Sequence, residues 1–88
     1  MSSGIVIVAM QVPSEERPTG SLTLLDAEGQ YWRIEVTPTH VRVASTHELL
    51  SDALPSDAYE RPLVSGSPLT EFALIVADPL VTIMEAAL

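Results

Sequence analysis

The chain contains no cysteine and no lysine among its 88 residues, and only four glycines. Without cysteine there is no disulfide and no thiolate chemistry, as expected of a protein in a reducing cytoplasm. Without lysine, positive charge reduces to four arginines set against twelve acids, for a formal net charge of −8. A surplus of that sign opposes direct binding to a nucleic-acid backbone or an anionic membrane. The four glycines are scattered, so they form no glycine-rich phosphate loop. Long hydrophobic runs are missing too. Residues 5–10, IVIVAM, are far too few to span a bilayer, and no basic segment precedes them to suggest a signal peptide.

What is present suffices for one core. Apolar residues make up 47% of the chain, which argues against wholesale disorder. The length suits a single domain over residues 1–88. A chain this short buries only about 60–65% of its unfolded surface, so its stability is modest or helped by a partner. The acidity admits three uses: engaging a basic protein surface, imitating nucleic acid, or plain solubility. The last extends to a salt-adapted surface, whose stability would rise in molar salt.

Residues 21–44 organise the rest. Gly29, in Asp26-Ala27-Glu28-Gly29, can take the left-handed conformation that closes a three-residue hairpin loop. That pairs Leu25 with Tyr31, Leu24 with Trp32, Thr23 with Arg33 and Leu22 with Ile34. Pro38, in Thr37-Pro38-Thr39-His40, suits the second position of a type I turn. The second turn pairs Val36 with Val41, Glu35 with Arg42 and Ile34 with Val43. Side chains alternate faces along a strand. Leu22, Leu24, Trp32, Ile34, Val36, Val41 and Val43 thus share a dry face, with Trp32 as core. Ser21, Thr23, Tyr31, Arg33, Glu35, His40 and Arg42 share the other, with Leu25 as its one apolar member.

Around this meander the reading is coarser. Residues 5–12 form an N-terminal strand, apolar on both sides and so expected to be covered on both: Ile5, Ile7 and Ala9 on one face, Val6, Val8 and Met10 on the other. Pro13 to Gly20 is a polar loop. Ser45 and Glu48 match a capping box, which predicts a helix over 46–54 ended by Pro55. Residues 55–68 read as an irregular loop. Ser67-Pro68 and Asp78-Pro79 are two helix-start signals, which favour helix–break–helix over 68–87. Leu80, Ile83, Met84 and Ala87 then share one side of the second helix. A buried strand over 71–77 is the alternative, since six apolar residues cannot decide the period.

No motif carries catalysis. His47-Glu48-Leu49-Leu50-Ser51 has serine where the zinc-protease helix needs its second histidine, so neither metal nor cofactor is expected. Most of the acids sit in loops and helix starts. The one set of interest is Tyr31, Arg33, Glu35, His40 and Arg42. It is a solvated sheet face with a Glu35–Arg42 pair worth about 0.2–1 kcal/mol, or a binding patch. The apolar C-terminus packs on the dry face or forms a dimer or partner interface.

These readings give an α+β domain with a three- to four-stranded antiparallel sheet: the meander 21–44, the N-terminal strand 5–12, and helices from the C-terminal half packed on one face. The expected function is non-enzymatic: a small subunit, regulator or inhibitor that binds another protein, such as one with a basic surface, or a second copy of itself. A phage or mobile-element inhibitor of a nucleic-acid-binding protein is a special case. The alternative is a small-molecule-binding or enzymatic role for Tyr31, Arg33 and His40 in a dimer cleft.

Overall fold

The structure, a computed structural model, describes residues 4–46 and 58–87. Five strands come first: β1 (Val6–Gln11), β2 (Gly20–Leu25), β3 (Tyr31–Val36), β4 (His40–Thr46) and β5 (Tyr59–Pro62). Two helices follow, α1 (Pro68–Ala77) and α2 (Pro79–Ala87). The strands form one antiparallel sheet in sequence order, with β1 at one border and β5 at the other. The helices lie on one face, α1 over β2 and β3, α2 over β4.

The meander has the register that its turns dictate. Gly29 sits at φ 83, a left-handed conformation that costs a residue with a Cβ. Its N–H reaches the Asp26 carbonyl, and Asp26 N–H reaches the Gln30 carbonyl. Leu24 consequently faces Trp32, and Thr23 faces Arg33. At the second turn the Thr37 N–H donates to the His40 carbonyl at 2.8 Å, and Val36 faces Val41. Leu22, Leu24, Ile34, Val36, Val41 and Val43 are all but inaccessible. Phe72 and Ile75 of α1 and Ile83 of α2 close over them.

The helix–break–helix reading of 68–87 holds. Ser67 caps α1 through its hydroxyl, which accepts from Thr70 N–H, and Pro68 opens the helix. Asp78 leaves helical geometry, and Pro79 starts α2.

Four expectations need correction. The sheet has five strands, because Tyr59–Pro62, inside the segment read as a loop, pairs with β4. β1 is not covered on either face. It lies at the border with all six residues exposed. A bulge between Ile7 and Ala9 also shifts its parity, so Met10 faces Leu22 just as Ile7 faces Leu24, and both share the helix side. In α2 the buried residues are Thr82 and Ile83, while Leu80 and Met84 are exposed. Finally, Ser45 and Thr46 belong to β4, so Ser45 is no helix cap. The rest of the expected helix 46–54, with His47 and Glu48, lies outside the described residues.

Candidate functional site: the outer sheet face and the β1 border

The face away from the helices carries every residue that parity assigned to it. A polar row crosses all five strands: Gln11, Ser21, Glu35, Arg42 and Glu60 stand side by side. Arg42 lies between two carboxylates, 4.0 Å from Glu35 and 3.4 Å from Glu60. His40 Nε2 lies 3.4 Å from the other oxygen of Glu60, and its Nδ1 is 2.8 Å from the Thr39 hydroxyl. Glu60 thus joins two of the expected site residues, and sequence reasoning missed it because β5 was missed. Cross-strand pairs of this kind contribute about 0.2–1 kcal/mol each.

The remaining candidates spread along the face. Tyr31 faces Leu25 on β2 and Thr46 on β4. His40 is at the far end of β4 from Thr46, six residues and about 20 Å away at strand rise. Tyr31 and His40 therefore do not meet. Arg33 lies in between and lines a hollow of about 230 Å³ with Arg17, Glu35, Ser21, Thr19 and Gln11. Trp32 points to the helix side, and its indole N–H donates to Asp26 Oδ2 at 3.0 Å. Asp26 also accepts from Gln30 and Glu28 N–H groups. The Gln30 N–H, then the Trp32 indole, hold its carboxyl below the usual aspartate range.

A second polar cluster lies under the helices. Arg61 of β5 donates to Glu71 Oε2 at 2.8 Å and to Glu85 Oε1 at 3.0 Å, so it bridges α1 and α2. Glu71 is 1% exposed, and its other oxygen accepts from the Val64 and Ser65 N–H groups. Burial pushes the Glu71 carboxyl up, but Arg61 and these N–H groups outweigh it and hold it below the usual glutamate range. Burial likewise works against the charge of Arg61, and its two carboxylate partners more than offset that. Every carboxylate oxygen of Glu71 is engaged within the fold, so the cluster is a clamp that seats the helices.

The third feature is apolar. β1 exposes Val6 at 60%, with Ile7, Val8 and Met10 also open. One hollow lies between it and the helix layer, and a second lies beyond its end. One of about 300 Å³ is lined by Ile5, Ile7, Val76, Pro79 and Leu80, with Asp78 at its rim. The other, of about 280 Å³, lies past the end of β1 between Pro13, Pro18 and Leu69, with Glu15 beside it. Leu74, Val81 and Met84 are exposed on the helices, Leu74 and Val81 beside Arg61 and Glu85 on the β5 side. Among the described residues no set of three histidines or acids could hold a metal ion. No described helix is long and apolar enough to cross a membrane. The chain matches no family model, and neither a curated protein nor a solved structure matches it.

Proposed function

We propose that the protein is a small acidic interaction module that acts by binding another protein. The observation that carries this reading is the exposure of β1: a border strand without a charge or proline, whose Ile7 lines an apolar hollow with Val76 of α1 and Leu80 of α2. Contiguous apolar surface of this kind marks interaction sites. The acidity around it suits a partner with a basic surface. The polar outer face is then the scaffold's solvated side, with its charges largely paired across strands.

A test compares two surface variants in co-purification from the native host. Val6→Ser with Met10→Ser should lose a protein that the unaltered chain retains, with its melting temperature unchanged. Arg33→Ala with Arg42→Ala should retain it. Equal retention by all forms, or a strict monomer with no retained protein, overturns the reading.

A second reading, a small-molecule site, is supported by the hollow between Arg17 and Arg33. It predicts that a small carboxylate perturbs the amides of Thr19–Ser21 and that Arg33→Ala abolishes the effect.

A further inference from the structure

We propose that β1 takes an extended segment of the partner as a sixth strand, and that this segment is apolar in the middle and basic at both ends. This rests on the protein-binding reading above and adds the mode of binding and the chemistry of the partner. The two borders of the sheet differ in a way that singles out β1. Sheet borders carry unpaired N–H and C=O groups, and proteins blunt them with charge, proline or shortness. β5 has all three: four residues that include Glu60, Arg61 and Pro62. β1 has six residues, VIVAMQ, with no charge and no proline, and pairs only with β2 among the described residues. Its one irregularity is the bulge between Ile7 and Ala9.

Strand addition uses both features of this border. Backbone groups of the incoming segment pair with β1, and alternate side chains fall to the two faces. On the helix side they meet the hollow between Ile7, Val76 and Leu80. On the other side they meet Val6 and Leu25.

Charge selects the occupant. At the start of β1, Val6 faces Leu25, next to the turn that carries Asp26 and Glu28, and Asp78 rims the hollow. Past the end of β1 come Glu15 and Glu16, both exposed. Arg17, the one cation of that loop, lines the outer-face hollow. A second copy laid antiparallel on β1 would bring Glu15 and Glu16 of one chain against Asp26, Glu28 and Asp78 of the other, at both ends. Like charges so placed oppose the pairing, whereas a segment with basic ends is favoured at both.

The test uses synthetic peptides as long as β1, alternating valine and threonine and closed by paired lysines. Binding is followed by amide chemical shifts across the whole chain. The expected result is a dissociation constant below about 1 mM with shifts concentrated on β1. N-methylation of alternate residues, made in both phases, should weaken binding about tenfold in one phase, because it removes the donors and keeps the side chains. Paired glutamates in place of the lysines should weaken it by a similar factor. Equal binding by both methylated forms, or by the glutamate form, overturns the proposal, as does a dimer in which β1 amides are already protected. A silent titration overturns it as well. The protein-binding reading survives that result if the Val6→Ser, Met10→Ser variant still loses a retained protein, and fails with it if no protein is retained.

Discussion

Arg61 on β5 meets Glu71 on α1 at 2.8 Å, across a boundary of sheet and helix, with Glu71 almost wholly buried. Charges removed from water persist only when their partners are complete, and here the Val64 and Ser65 N–H groups complete the carboxylate. Glu71→Ala leaves a guanidinium and two N–H groups without that acceptor. Urea unfolding should show a loss of about 3–5 kcal/mol.

The same carboxylate fixes a pH dependence. Its folded value lies below its ordinary value near 4.5, so the unfolded chain binds more protons in that range. The contribution is complete above the ordinary value and is lost as pH falls through the folded one. Urea melts at neutral pH and at about pH 3 should therefore differ less for Glu71→Gln than for the unaltered chain.

Gly29 holds a left-handed turn with open space where a Cβ would go. Gly29→Ala therefore meets backbone strain without a clash, and should cost about 1–2 kcal/mol in chemical denaturation. Gly29→Asn should cost less, because asparagine tolerates that conformation better.

Two leucines test where the core lies. Leu24 is 0% exposed, and Leu24→Ala should cost about 2–5 kcal/mol. Leu74 is 56% exposed, and Leu74→Ala should stay within about 0.5 kcal/mol. Equal costs would place the helices elsewhere.

Trp32 is the only tryptophan, so its emission reports one place. Asp26→Ala removes the acceptor of its indole N–H and the cap of the β2–β3 turn. Emission should move to the red, acrylamide should quench it more, and the melting temperature should fall.

The meander was legible because Gly29 and Pro38 each set the same register, and a slip would have mixed aliphatics with arginines. β1 lacked that safeguard. Valine, isoleucine, alanine and methionine occupy both parities, so the bulge left no trace in the apolar pattern. Two-sided apolar strands are commonly buried, and this one is not. β5 was hidden for the opposite reason: Tyr-Glu-Arg-Pro shows no alternation of apolar residues, and proline is tolerated at a border. With β5 went Glu60 and Arg61, hence both the partner of His40 and Arg42 and the clamp on Glu71. In α2, apolar residues lie all round, so periodicity could not choose the buried side.

The unlike borders also bear on how copies of the chain can meet. Joining them edge to edge, β1 of one on β5 of the next, meets a strand of four residues that carries Glu60, Arg61 and Pro62, and Pro62 has no backbone N–H to give. Head-to-tail growth into fibrils is thereby opposed.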